Sequence, residues 1–164
     1  MLRLPPIEQV LPLLARPLRL VPHPLQRGGL EFALEQLFRD SVAAGELDFL
    51  TGRCLAIEIE DAGWRWPILL DGRRLHVLER SHPADVTIRG QSWAFLVMAG
   101  RFEDPDTLFF QRRLVIEGDT ELGLGVKNFL GGLDEERLPL PARLGLRGLR
   151  EAQARLRGNK PVET

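Results

Sequence analysis

The sequence predicts an α+β domain, and three observations carry that expectation. Residues 30–44 repeat apolar side chains at spacings of three and four, and residues 54–90 hold four short strand signals in succession. Residues 92–130 then return to helical patterns around one further strand. At 164 residues the chain has the length of one ordinary domain with a tail at either end.

The opening stretch, MLRLPPIEQVLPLLARPLRLVPHPLQRGG, is rich in Leu and Pro. Pro5, Pro6, Pro12, Pro17, Pro22 and Pro24 forbid one long helix, so 1–29 reads as an arm with short turns at most, ended by Gly28 and Gly29. Leu11, Leu13, Leu14, Leu18 and Leu20 in it need covering, by the body or by a membrane. The spacing then predicts a helix over 30–44, with Leu30, Leu34, Leu37, Phe38 and Val42 on its apolar side and Gly45 as its stop. CLAIEI at 54–59 alternates, placing Leu55, Ile57 and Ile59 on one face of a strand. Segments 64–70 and 75–78 flank Asp71-Gly72, a hairpin signal because this pair tolerates positive φ. DVTIRG at 85–90 is a fourth strand, and the succession suggests an antiparallel meander.

After Gly90, Ser92 is placed to cap a helix that is apolar all round over 93–99. Such a helix must be covered on every side or must face a cavity or lipid. Asp104-Pro105-Asp106 starts another helix, with a capping acid followed by proline in the first turn. RLVIE at 113–117 reads as the last strand, and Gly118-Asp119 as the turn that caps a helix over 120–130. Beyond Pro139 and Pro141, Leu146, Leu149, Ala152 and Leu156 form a stripe among Arg143, Arg147, Arg150, Arg155 and Arg157. That is a basic amphipathic helix, suited to docking on the body, to an anionic membrane surface or to a partner's groove. The organisation is therefore an arm at 1–29, a domain at 30–134 and a basic tail at 135–164.

Composition narrows the function classes. Apolar residues make up 44% and charged residues 27%, enough for a real core, and a net charge of -1 gives no strong pull toward nucleic acid. The charge is uneven, with four arginines against one acid in 1–30 and six basic residues against one acid in 140–160. The stretch between, 31–139, holds 20 acids against 12 bases. Basic ends on an acidic body fit either contact with an anionic bilayer or solvated arginines at loose termini. Cys54 is the single cysteine, so no internal disulfide forms, and a reducing compartment is expected. Pro5, Pro6 and Glu8 interrupt any export signal and no uncharged run reaches the ~20 residues of a membrane span, which together predict a cytoplasmic protein.

No catalytic set is visible. There is no Gly-x-Ser-x-Gly elbow and no phosphate loop, and Gly123-Leu124-Gly125 lies inside an expected helix, where close packing is the better account. The carboxylate pairs Glu58/Glu60, Glu60/Asp61, Asp104/Asp106 and Glu117/Asp119 fall on a solvent face, a helix start and turns. His23, His76 and His82 are scattered, so no metal site and no cofactor is expected. Apolar bulk is conspicuous instead: Trp93, Phe95, Leu96, Met98, Phe102, Leu108, Phe109, Phe110, Leu114, Leu122, Leu124, Val126, Phe129 and Leu130 fall within about forty positions. They either fill a core or line a cavity for an apolar ligand.

The segment 104–130, DPDTLFFQRRLVIEGDTELGLGVKNFL, resembles the signature of a bacterial family of accessory factors of anaerobic ubiquinone biosynthesis, within the sterol carrier protein type two domain family. The broader pattern is similar over about 47–133, with DVTIRG leading into an apolar helix and RLVIEGD into a final one. The resemblance implies a mainly antiparallel five-stranded sheet covered by helices that enclose an apolar, lipid-binding tunnel. It implies a non-catalytic carrier that presents polyprenylated ubiquinone precursors, with phospholipid as a second ligand class, to the oxygen-independent hydroxylases UbiU and UbiV and to other enzymes of the route. By position the tunnel walls would be Trp93, Phe95, Leu96, Met98, Phe102, Leu108, Phe109, Phe110, Leu114, Val126, Phe129 and Leu130. The arginines of the C-terminal helix would hold the carrier peripherally at an anionic inner membrane. Two alternatives stand beside this reading. One is a docking scaffold with a filled core; the other is a lipid- or thioester-acting enzyme using Glu117, Asp119 or His76.

Overall fold

The computed structural model describes residues 22–133 together with residues 144, 147, 148 and 151, which are helical and exposed. The expected arm up to residue 21 and most of the basic C-terminal helix lie outside the described residues.

Helix α1, His23–Ala43, starts seven residues before the expected position and runs through Gly28 and Gly29. Two physical facts account for the difference. Pro22 and Pro24 stand at the N-cap and first turn, where a missing N–H breaks no helical bond. The glycines are exposed, so packing of Leu30, Leu34, Phe38 and Val42 on the core outweighs their unfavourable helix propensity. A short 3-10 turn, Asp48–Leu50, follows and tucks Leu47 and Leu50 inward.

Five strands form one sheet: β1 Cys54–Ile59, β2 Trp64–Asp71, β3 Arg74–Val77, β4 Val86–Gly90 and β5 Leu114–Gly118, in the order β3-β2-β1-β4-β5. The hairpin expected at Asp71-Gly72 is present, with Asp71 paired to Arg74 and Gly72 at φ +60°. The uniform antiparallel meander is corrected in one place. β4 lies parallel to β1, with Leu55 opposite Val86 and Ile57 opposite Ile88, so the sheet is mixed. The reason is topological. The segment after β3 carries the chain to the far side of β1, and β4 enters there in the same direction as β1.

Register divides the sheet into two faces. Leu55, Ile57 and Ile59 share a face with Trp64, Trp66, Ile68, Leu70, Leu75, Val77, Val86, Ile88, Leu114 and Ile116. The opposite face carries Glu58, Arg65, His76, Arg89 and Glu117. On the apolar face lie α1 and three further helices: α2 Ser92–Ala99, α3 Pro105–Phe110 and α4 Thr120–Gly132. Ser92 is not the cap of α2. It is the first helical residue, and its backbone N–H and hydroxyl donate to Asp61, from the β1–β2 turn, at 2.7 and 2.5 Å. Asp104 does occupy the N-cap of α3, without a side-chain bond, whereas Asp119 caps α4 by accepting from Leu122 N at 2.9 Å.

Candidate functional site

Between the helical layer and the apolar face lies a cavity of about 100 Å³. Its floor is sheet: Leu55 and Ile57 from β1, Ile68 from β2, Leu75 from β3 and Ile88 from β4. Alternation in each strand delivers these residues, since the period of two turns every second side chain inward. Its roof and walls are Leu34 and Phe38 of α1, Leu47, Phe49 and Leu50 around the 3-10 turn, Phe95 and Met98 of α2, and Val126, Phe129 and Leu130 of α4. Phe38 and Phe129 meet edge-on with ring centroids 5.5 Å apart, which joins α1 to α4 above the space. Among the described residues no polar side chain contributes to the lining. Phe49 and Phe129 also line an outer groove of about 450 Å³ beside Glu46, Gly125, Asn128, Gly132 and Leu133, so these two rings stand between the cavity and the surface.

Of the twelve residues expected at tunnel walls, Phe95, Met98, Val126, Phe129 and Leu130 line the cavity. Leu108 and Leu114 are buried in a separate cluster with Ala94, against which Trp93 and Phe109 pack. Trp93 donates its indole N–H to Gln91 at 2.9 Å and carries the Arg113 guanidinium over its ring at 4.9 Å. Leu96 is half-buried, Phe102 lies against Gly100, and Phe110 is 91% exposed. Ten of the described lining residues come instead from the stretch before Trp93, from Leu34 to Ile88. The alternation at 54–59 and the Leu34–Phe38 spacing had placed four of them on apolar faces; nothing in the sequence signals Phe49. Of the arginines expected at a membrane, Arg147 is helical and exposed, while Arg143, Arg150, Arg155 and Arg157 lie outside the described residues.

The ionisable groups are engaged elsewhere. His76 sits opposite Leu69, on the sheet face turned away from the cavity. Glu117 pairs with Arg89 on that same face, where Arg89 also reaches Glu60 at 3.4 Å. Asp119 accepts from Arg53 at 2.7 Å, and Arg53 also lies 3.3 Å from Asp85. The bond from Leu122 N, followed by that from Arg53, holds the Asp119 carboxyl below the usual carboxylate range, and Asp119 in turn raises the Arg53 guanidinium. Asp85 Oδ2 accepts from Cys54 N at 2.8 Å, so this cluster fastens the starts of β1 and β4 to the N-terminus of α4. Burial, the largest influence on Cys54, pushes its thiol up, away from the thiolate form that a nucleophile needs. Among the described residues no cluster of His, Cys, Asp or Glu could hold a metal ion, and no helix is long and apolar enough to cross a membrane.

Gly123 and Gly125 serve packing. A Cβ on Gly123 would meet Ile116 Cγ2 at 2.8 Å, and one on Gly125 would meet the Phe49 ring at 2.8 Å.

Comparison with known proteins agrees with this architecture. The sequence model of the SCP-2 sterol transfer family matches residues 32–131. The ubiquinone biosynthesis accessory factor UbiT of Escherichia coli strain K12 is 44% identical over 134 residues, 82% of this chain and 76% of UbiT, and that of strain O157:H7 matches equally. The solved structure of the UbiJ-SCP2 ubiquinone synthesis protein superposes with a TM-score of 0.54 at 20% identity, over 66% of this chain and 91% of that one, and shows the shared fold. With the family model spanning the whole sheet and most of the helical residues, and UbiT aligned over most of its own length, this chain belongs to the SCP-2 sterol transfer family and groups within it with UbiT.

Proposed function

We propose that the chain is a non-catalytic accessory factor of ubiquinone biosynthesis that binds polyprenylated ring precursors and presents the ring to the enzymes that modify it. One observation carries the reading: among the described residues, every side chain that lines the cavity between sheet and helices is apolar. Each square ångström of hydrocarbon withdrawn from water contributes ~25 cal/mol, so such a lining favours a hydrocarbon tail, of which a prenyl chain is one kind. The relatives named for ubiquinone biosynthesis supply the chemical class, and the placement of His76 on the opposite sheet face, with Glu117 and Asp119 paired to arginines away from the cavity, speaks against catalysis.

Size sets the mode of binding. About 100 Å³ is well below the ~300–1,000 Å³ of ordinary ligand pockets and suits one small apolar group. A tail therefore enters by widening the space, and Phe49 with Phe129, shared with the outer groove, are the rings that swing aside. The recipients of the ring are oxygen-independent hydroxylases of the UbiU and UbiV type, working anaerobically. The basic C-terminal stretch holds the carrier at an anionic inner membrane on its cytoplasmic side.

The test is mass spectrometry of organic extracts from protein purified without detergent, beside a Val126→Phe variant that plugs the cavity. Prenylated phenols or quinone precursors are expected in the wild type and lost in a variant that keeps its circular dichroism and melting transition. A wild type that arrives empty and takes up no added precursor refutes the carrier and leaves a docking role.

A further inference from the structure

The apolar face of the sheet holds two polar atoms that its burial leaves unanswered. The indole Nε1 atoms of Trp64 and Trp66 are shut off from solvent and have no hydrogen-bond partner among the described residues. Buried tryptophan N–H groups usually find an acceptor, and each one left without costs the folded state. The contrast with Trp93 is direct, since that indole donates to Gln91 at 2.9 Å.

Neither ring is among the residues that line the cavity, but register sets the pair beside its floor. Trp66 is directly opposite Ile57 and two residues from Ile68 on its own strand, and both isoleucines line the cavity floor. Trp64 stands one pleat further out, opposite Ile59, and its ring lies 5.0 Å from that of Trp66 at 40°. Ile68 pairs with Val77 and Leu78 N donates to Pro67 O, so the register carried on one step sets Glu79 beside Trp66. The Glu79 carboxylate lies 4.0 Å from Nδ1 of His23, whose Nε2 is buried without a partner among the described residues.

We propose that Trp64 and Trp66 form the head-group end of the site, a pair of N–H donors that receive the oxygen of a phenol- or quinone-type ring whose prenyl tail occupies the apolar cavity. This rests on the carrier reading above and specifies its substrate class. The hydrocarbon lining holds a tail of any kind, whereas two donors at one end favour a ligand with an acceptor oxygen on the ring. The tilted indoles also offer aromatic faces against which such a ring can pack.

Two matched probes separate the ideas: 2-geranylphenol, and geranylbenzene, which lacks only the oxygen. Their dissociation constants are measured by titration calorimetry on wild type, on Trp64→Phe/Trp66→Phe and on Trp93→Phe. The ratio of the geranylbenzene constant to the geranylphenol constant is expected to fall about three- to tenfold in the double variant, the worth of one net hydrogen bond. Geranylbenzene binding should stay within about twofold, because phenyl keeps an aromatic ring at each position. Trp93→Phe should leave the ratio where it is. A ratio unchanged in the double variant, or lost equally in Trp93→Phe, overturns the head-group assignment while the carrier stands. A wild type that binds neither probe overturns the carrier itself, so the two failures are told apart.

Discussion

Replacing Val126 by Ile adds one methylene to a wall of the cavity while keeping a β-branched side chain in α4. At ~24 cal/mol per Å³, a void of about 100 Å³ destabilises the fold by about 2.4 kcal/mol relative to a filled core. One methylene recovers part of this, ~0.8 kcal/mol by its transfer free energy, if it enters the space without strain. The matched control is Val77→Ile. Val77 is fully buried on the same sheet face but does not line the cavity, so the same methylene meets close packing and destabilises by ~1–3 kcal/mol. Urea denaturation monitored by circular dichroism should therefore move the two midpoints in opposite directions, and thermal melting should rise by roughly 2–6 °C for Val126→Ile. The same variant should bind geranylbenzene less tightly, because the room it occupies is ligand room. If Val126→Ile destabilises as Val77→Ile does, the core is filled at this point, and the hollow-core argument fails with the carrier mechanism built on it.

Two further outcomes follow from the same structure, and one from the sequence. Gly28→Ala and Gly29→Ala should each stabilise α1 by about 1 kcal/mol, since an added Cβ meets nothing within 4 Å at either position; denaturation midpoints check this. Asp119 has its folded value lowered, so its contribution to stability is complete above the ordinary carboxylate value of about 4 and fades as pH falls through the lower folded value. Asp119→Asn should accordingly flatten the acid limb of a stability–pH profile and leave the limb above pH 6 parallel to wild type. Reversing the charge of Arg143, Arg147, Arg150, Arg155 and Arg157 together should abolish sedimentation with phosphatidylglycerol vesicles at low salt, and unchanged association would remove the membrane role from this stretch.

How much of this was legible in the sequence depends on what a pattern encodes. Alternation at 54–59 says which side chains share a face, and register confirms Leu55, Ile57 and Ile59 together. It says nothing of which strand lies alongside, because a period of two reads identically in either direction, and so the parallel pairing of β1 with β4 escaped. A crossover is usually betrayed by an intervening helix, and the segment between β3 and β4 has none. Gly28-Gly29 read as punctuation because glycine is a poor helix former. Packing of Leu30 and Leu34 one turn on overrode that local preference. Asp71-Gly72 and Asp119 were legible because their chemistry is local, a positive φ in one case and a side-chain cap in the other. The site was half legible. The aromatic crowding after Trp93 drew attention to the second half, yet Phe110 points to solvent while the floor comes from strands whose apolar residues look like any core. A filled and a hollow core share one hydrophobic pattern; they differ in distances between elements, which no single residue reports.

Those distances have an identifiable origin in α4. At its N-terminal half the helix comes down onto β5 until only a hydrogen fits at Gly123, because any Cβ there would press on Ile116 at 2.8 Å. Two residues later Gly125 receives the Phe49 ring at the same separation, so a ring from the 3-10 turn wedges against the helix backbone. At the C-terminal half Phe129 meets Phe38 of α1 edge-on, and aromatic bulk sets the spacing. Val126, Phe129 and Leu130 of the same helix line the cavity together with Ile57 and Ile88 of the sheet. Gly123-Leu124-Gly125 is thus tied to the cavity: one glycine lets the helix approach Ile116, and the other seats the Phe49 ring, which lines both the cavity and the outer groove.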